Sequence, residues 1–306
     1  MLTKPLRGII PPAITPMIDN DTLDIIGLEK LLNRMIQGGV SGVFILGTSG
    51  EAQNISYNVR KELIKETCRI VARRVPVLVG ITDTSFSESL SLAASAAHYG
   101  ADALVAAPPY YFAPGQAELI QYYNDLANQL PLPLFLYNMP SHVKVMIEPE
   151  TVLSLSKNPN IIGLKDSSAN GVYFQKLIYL LKDDPEFTLL CGPEEMTAEV
   201  VLMGGHGGVN GGANLFPDLY VALYNAAACK DFEKLAELQS QVLKISLSLY
   251  NIGKYASSYI KGVKTALNLM GVCSDYMAEP FHKFKDAERE IIRKNLMDLN
   301  IKSDDL

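Results

Sequence analysis

Cysteine and histidine are sparse in this chain, with four of each among 306 residues. Cys68, Cys191, Cys229 and Cys273 lie far apart. None has the paired spacing of a zinc site or a redox dithiol, so reduced thiols in a cytoplasmic protein are the simplest reading. The histidines are too scattered to form a metal centre. Basic residues are also short: 27 Lys and Arg against 33 Asp and Glu leave a net charge of -6. That balance argues against nucleic acid as the main partner, although a locally positive site for a small anion remains open. No apolar run is long enough to span a bilayer, so no membrane partner is expected. The first seven residues lack the apolar core of a signal peptide, and low-complexity segments are absent.

What the chain does have is apolar material in a regular rhythm. Hydrophobic residues make up 48% of it, enough for a large core. Eight short apolar runs read as strands: 8–15, 42–47, 75–82, 103–109, 133–140, 161–168, 187–193 and 207–213. Most are continuously apolar rather than alternating, as parallel strands covered on both faces are. Helical spacing fills the intervals, as in 23–38, 56–73 and 86–99, with Gly38-Gly39 and Gly100 as stop signals. Strand and helix alternating eight times predict a right-handed (β/α)8 barrel. A doubly wound open sheet is the alternative, but no Gly-rich phosphate loop follows the first strand. Residues 1–225 are assigned to the barrel and 226–306 to a helical extension, with helices expected at 219–228, 232–250, 255–270 and 287–299. The extension is rich in Leu, Ala and Tyr and shows no obvious catalytic cluster.

In such barrels the active site lies at the C-terminal ends of the strands. There the sequence places Gly47-Thr48-Ser49-Gly50-Glu51 after strand two, Pro108-Pro109-Tyr110-Tyr111 after strand four and Tyr137-Asn138-Met139-Pro140 at the end of strand five. Lys165-Asp166-Ser167-Ser168 ends strand six and Gly192-Pro193-Glu194-Glu195 follows strand seven. Lys165 is the most informative of these. Desolvation disfavours an ammonium, and a neutral lysine amine is the nucleophile that forms Schiff bases with carbonyls. Taken singly, each piece has a plainer explanation. A strand-end lysine is more often a snorkelling surface residue, the Gly-Thr-Ser-Gly segment an ordinary turn, and Tyr137 a rim aromatic. His206, before strand eight, reads as structural. Convergence of hydroxyls, a phenol and an amine on one mouth favours chemistry.

In order and spacing, Gly47-Thr48-Ser49-Gly50-Glu51, Tyr137-Asn138-Met139-Pro140, Gly163-Leu164-Lys165-Asp166 and Gly204-Gly205-His206-Gly207 resemble the dihydrodipicolinate synthase / N-acetylneuraminate lyase family of class I pyruvate-dependent aldolases. The resemblance implies a barrel with a C-terminal helical extension, commonly a homotetramer or dimer, that needs no cofactor. It implies that Lys165 forms the imine with pyruvate and Tyr137, linked to Thr48, passes protons. Thr48 and Ser49 would hold the pyruvate carboxylate, Gly192 and Val209 would line the pocket, and Tyr111 would match a tyrosine that some members insert from a neighbouring subunit. One position departs. Where the synthases carry an arginine for the carboxylate of aspartate semialdehyde, this chain has His142. An imidazole is mostly neutral near pH 7 and makes at most one good bond, unlike a guanidinium fork. The expectation is therefore a lyase or aldolase acting on a sugar-acid or related 4-hydroxy-2-oxo acid. A synthase condensing pyruvate with aspartate semialdehyde is the second reading, and a non-catalytic 2-oxo-acid-binding barrel the third.

Overall fold

In the computed structural model, which describes residues 2–299, eight parallel strands form one curled sheet. They are β1 (Gly8–Ile9), β2 (Val43–Ile45), β3 (Val77–Gly80), β4 (Ala103–Ala106), β5 (Leu134–Asn138), β6 (Ile161–Asp166), β7 (Thr188–Cys191) and β8 (Gly207–Gly208). From β2 onward each pairs with the next in sequence, and β8 returns to β1. The last seam joins β1 to β2 through the Pro12–Phe44 bridge, with the N–H groups of Ser41 and Phe44 donating to the carbonyls of Ile9 and Pro11. The sheet is thus a (β/α)8 barrel carrying additional C-terminal helices.

All eight expected strands are present, each shorter than its apolar run, and the first and last are cut to two residues. Pro11 and Pro12 have no N–H to give to a ladder, which limits β1 to two residues and a bridge. Glycine-rich β8 is likewise two residues long and gives way to a 3₁₀ turn, Gly211–Asn214. The helices start where a side chain caps them. Asp24 accepts from Gly27 N–H, Ser56 from Val59 N–H and Asn170 from Tyr173 N–H, at 2.8, 3.2 and 3.1 Å. The helix Phe86–Tyr99 matches its expected span and stops at left-handed Gly100. Leu23 belongs not to a helix but to a small hairpin with Met17–Asp19.

Two cores result. One fills the space between sheet and helices and runs on into the extension through Leu249, Val263, Leu267, Ile292 and Leu296. The other is the barrel interior, built from Leu6, Ile10, Phe44, Leu78, Val105, Phe135, Tyr137, Leu190 and Val209. The helix Pro217–Cys229 contains residues 225 and 226 and packs on both β1 and the helix Phe232–Ile245, joining barrel to extension. The long helical stretch expected at 232–250 is α-helical to Ile245 and then widens into a π-turn, Ser246–Tyr250.

The β8–β1 seam depends on Gly207. Its φ is +152°, and a Cβ there would stand 1.9 Å from the Gly8 carbonyl oxygen, backbone against backbone. Gly207→Ala is expected to lower unfolding free energy by about 1–3 kcal/mol, as overpacking does. Urea denaturation followed by circular dichroism measures this, and an unchanged midpoint contradicts it.

Candidate active site

Lys165 projects into the barrel interior near the C-terminal end of β6 and is only 6% exposed. In the sheet it pairs with Tyr137 of β5 on one side and Leu190 of β7 on the other. Directly paired residues of neighbouring parallel strands share a face, so amine and phenol lie side by side. Lys165 Nζ is 4.1 Å from the centre of the Tyr137 ring and 5.1 Å from that of Phe44. Both rings offer their π-faces to a cation. Phe44 meets Tyr137 edge-on at 6.4 Å and fixes its plane.

The next pair along the two strands, Asn138 and Asp166, faces the other way and locks the strand ends. Asn138 Nδ2 donates to Asp166 Oδ1 at 2.8 Å, and Asn138 Oδ1 accepts from Ile147 N–H at 3.1 Å. Asp166 also accepts from the backbone and hydroxyl of Ser168. Burial raises its pKa against these hydrogen bonds. Gly192 N–H donates to the Asp166 carbonyl at 2.7 Å. A Cβ on Gly192 would meet Ser167 Oγ at 2.1 Å and the Asp166 carbonyl at 3.1 Å, so the loop after β7 sits close against the end of β6.

The turn after β2 supplies the hydroxyls. Leu46 and Glu51 bracket it with left-handed backbones, φ +57° and +53°. The Leu46 carbonyl sits where Gly80 would carry a Cβ, at 2.0 Å. Thr48 Oγ1 lies 3.1 Å from the Tyr137 hydroxyl, so the phenol has a hydroxyl partner. Ser49, buried at 6%, places Oγ 3.2 Å from the hydroxyl of Tyr259. Tyr259 belongs to the extension and was not singled out from the sequence.

A cavity of about 400 Å³ opens above these groups. Thr48 and Tyr137 form part of its floor. Glu51, Gln53, Asn54, Thr82, Tyr110, Met139 and His142 stand around it, and among the described lining residues there is neither lysine nor arginine. A smaller void below it is lined by Lys165, Val209, Leu190 and Phe135, and Phe44 borders both. His142 faces the cavity, although part of its ring is open to solvent. Burial, with a contribution from the Lys165 charge, lowers its pKa below the usual 6.5. Its Nδ1 is 3.0 Å from Ser141 Oγ.

Five of the residues singled out from the sequence therefore line these two spaces, Tyr137, Thr48 and His142 the cavity and Lys165 and Val209 the smaller void. Ser49 lies in the turn beside them, and Gly192 lines neither but is held against the Asp166 carbonyl at the end of β6. Tyr111 stands apart. It is 75% exposed and stacks edge-on against Phe112, itself 81% exposed, 5.2 Å away. His206 is buried at the other end, where its Nδ1 accepts Leu189 N–H at 2.9 Å and burial lowers its pKa to about 4.

The model of the dihydrodipicolinate synthetase family matches residues 5–299. The chain belongs to that family. A 4-hydroxy-tetrahydrodipicolinate synthase of Methanocaldococcus jannaschii is 32% identical over 296 residues, covering 96% of this chain and 99% of the relative. A probable 2-dehydro-3-deoxy-D-pentonate aldolase of Escherichia coli is 35% identical over 244 residues, covering 79% and 81%. Among solved structures, a dihydrodipicolinate synthase from Bacteroides thetaiotaomicron superposes with a TM-score of 0.95 at 57% identity, covering 97% of this chain and 99% of that one. The protein is an enzyme of the class I, pyruvate-dependent aldolase type.

Beyond the expected residues, the structure gathers Tyr220, Tyr250, Tyr259 and Lys264 behind the turns of this mouth, the first two bonded to Glu194 of the segment after strand seven. The glycine pair 211–212 was the available signal. Cβ atoms there would meet the hydroxyls of Tyr259 and Tyr220 at 1.6 and 1.9 Å, the close approach that glycines in a strand-end turn permit.

The His142 shift can be read by NMR titration. Its ring should titrate below the usual imidazole value, and Lys165→Met should move the midpoint part-way up by removing a nearby positive charge. A midpoint at or above 6.5 in the unaltered protein contradicts the assigned environment.

Proposed function

We propose that Lys165 forms a Schiff base with pyruvate and that the enzyme makes or cleaves the bond between the pyruvate methyl carbon and an aldehyde. The observation that carries this is the pairing of the buried Lys165 amine with Tyr137, whose hydroxyl is bonded to Thr48. The neutral amine adds to the keto carbon to give a carbinolamine. Loss of water leaves the imine. The imine nitrogen withdraws electrons from the methyl carbon, which gives up a proton and becomes an enamine carbon. That carbon attacks the aldehyde, the new alkoxide takes a proton, and water returns to release product and free amine. In the cleavage direction, a 4-hydroxy-2-oxo acid bound as the imine loses its C4 hydroxyl proton, the C3–C4 bond breaks with its electrons passing to the enamine, the aldehyde departs, and protonation and hydrolysis of the enamine release pyruvate. Tyr137 is assigned these proton transfers, with Thr48 as its relay, because a phenol both donates and accepts. The hydroxyls of Thr48 and Ser49 and the N–H groups of their turn are assigned to the substrate carboxylate. Gly192 and Val209 shape the wall beside the imine.

For the second substrate, the lining of the cavity favours a polyhydroxylated aldehyde, so the cleaved compound would be a sugar-derived 4-hydroxy-2-oxo acid. Thr82, Gln53 and Asn54 are neutral donors and acceptors, and His142 is held neutral. Such groups match hydroxyls one for one and offer no clamp for a second carboxylate. The E. coli relative described as a probable pentonate aldolase is consistent with this choice. The names of the synthase relatives favour the other reading, condensation with aspartate semialdehyde, in which His142 or another residue stands in for a cation. We further assign the enzyme to the cytoplasm as a homo-oligomer, with the exposed Tyr111–Phe112 pair covered by a second copy that receives Tyr111 near its own mouth.

Incubation with pyruvate followed by borohydride should give one adduct on Lys165 by mass spectrometry, and Lys165→Ala should give none. Trapping that is unchanged in Lys165→Ala would falsify the assignment. Tyr137→Phe should keep its circular dichroism spectrum and still bind pyruvate while kcat falls about 100-fold or more. Wild-type turnover by that variant removes Tyr137 from the proton path. Assayed side by side, 4-hydroxy-2-oxo acids should release pyruvate faster than aspartate semialdehyde consumes it. The reverse order establishes the synthase reading.

A further inference from the structure

The helix Ser258–Leu269 lies in the extension, yet two of its side chains end on the hydroxyl turn of the barrel. Tyr259 reaches Ser49 Oγ at 3.2 Å. Five residues on, the fully buried Lys264 ammonium pairs with the carboxylate of Glu51, which is 4% exposed. The pair is gripped from outside as well. Lys264 Nζ donates to the Tyr276 carbonyl at 2.7 Å, and Glu51 Oε1 accepts Ala278 N–H at 2.9 Å. Taking two charges this deep costs so much desolvation that well-packed apolar residues would serve stability equally well. What the pair adds is position: Glu51, left-handed at φ +53°, is anchored to the extension three residues after Thr48.

Tyr259 is wedged with equal firmness. Its hydroxyl fills the space beside Gly211, and its ring meets Tyr250 edge-on at 4.9 Å. Tyr250 donates to Glu194 Oε1 at 2.7 Å, which also accepts the Tyr220 hydroxyl at 2.5 Å, while Oε2 accepts Gly212 N–H at 2.8 Å. The loops after β7 and β8 are thereby tied to the same helices that hold Tyr259. Burial pushes the Tyr259 phenol far above its ordinary range, so it stays protonated and able to donate. A phenol that donates to Ser49 Oγ leaves the serine proton for another acceptor.

We propose that Tyr259 and Lys264 are positioning residues of the extension that fix the Ser49 hydroxyl and the 48–51 turn for the substrate carboxylate. This rests on the assignment of Thr48 and Ser49 to that carboxylate. Tyr259→Phe keeps the ring and removes only the bond to Ser49. Its half-saturation for pyruvate, in steady-state turnover and in borohydride trapping alike, should rise about 3–10-fold, the worth of one neutral hydrogen bond. Its kcat at saturating pyruvate and its KM for the aldehyde should stay within about 2-fold, since neither depends on that bond in the ground state. An unchanged pyruvate half-saturation, or a rise in the aldehyde KM instead, overturns the proposal. For Lys264, the paired variant Glu51→Gln, Lys264→Met avoids an unpartnered buried charge. Folded by circular dichroism, it should show the same selective loss for pyruvate, and wild-type half-saturation removes Lys264 from the proposal. Absence of any pyruvate adduct in the unaltered enzyme refutes the functional reading itself. A normal adduct with unaltered concentration dependence in Tyr259→Phe refutes only the role of the extension.

Discussion

One irregularity between β5 and β6 sets the phase of the whole site. Leu134 pairs with Ile161, but Phe135 pairs with Gly163, so β6 contains one residue more than its neighbour at that point. Side chains alternate along a strand, and a shift of one residue sends each to the opposite face. In unbroken register Tyr137 would lie opposite Leu164. With Ile162 taken up, it lies opposite Lys165, and both point into the barrel. Gly163 makes the shift possible, because a Cβ there would stand 2.6 Å from both the Phe135 ring and the Thr188 carbonyl. The Phe135 ring uses that space to fill the interior below the lysine.

Placing an amine on top of an apolar layer is expensive, and the surroundings are built to hold it still. The Phe44 and Tyr137 rings pack against the amine, the Asn138–Asp166 bond ties the strand ends behind it, and Gly192 brings the next loop down onto the Asp166 carbonyl. The groups around the mouth are similarly over-constrained. Glu194 holds three donors, and burial raises its pKa to about 6 despite them. A rigid rim of this kind suits a reaction whose intermediates stay covalently attached, since each atom must find its proton donor without moving far.

Much of this was readable from residues alone, for identifiable reasons. Parallel strands covered on both faces are apolar without interruption, so runs such as 103–109 and 161–168 stood out, and Gly100 marked the end of a helix whose span agreed residue for residue. Thr48, Tyr137 and Lys165 were legible because barrel topology sends all strand ends to one mouth. Tyr259 and Lys264 were not, because their partners lie about 210 residues away in sequence, and a Tyr or Lys in an amphipathic helix looks like ordinary packing or a snorkelling side chain. The two-residue lengths of β1 and β8 also escaped, since apolar character persists through Pro11 and Pro12 although their ladder donors are gone.

In the proposed mechanism, the two halves of the reaction fall to different parts of the fold. Lys165, Tyr137, Thr48 and Ser49 sit at the strand ends, held by the sheet and by the extension behind it. Thr82, Gln53, Asn54 and His142 border the cavity above, on loops and a four-residue helix, Pro140–Val143, that carry little of the core. Changes in the upper group leave the register of β5 and β6 untouched. An arginine exchanged for a histidine at position 142 would therefore alter what the enamine meets without altering how it forms. A guanidinium holds a carboxylate in a fixed fork, whereas a neutral imidazole offers one donor and one acceptor, the complement of a hydroxyl. Family membership thus speaks to the imine half of the chemistry, and in the proposed assignment the choice of aldehyde falls to the wall above it, whose carboxylate, Glu51, is paired with Lys264.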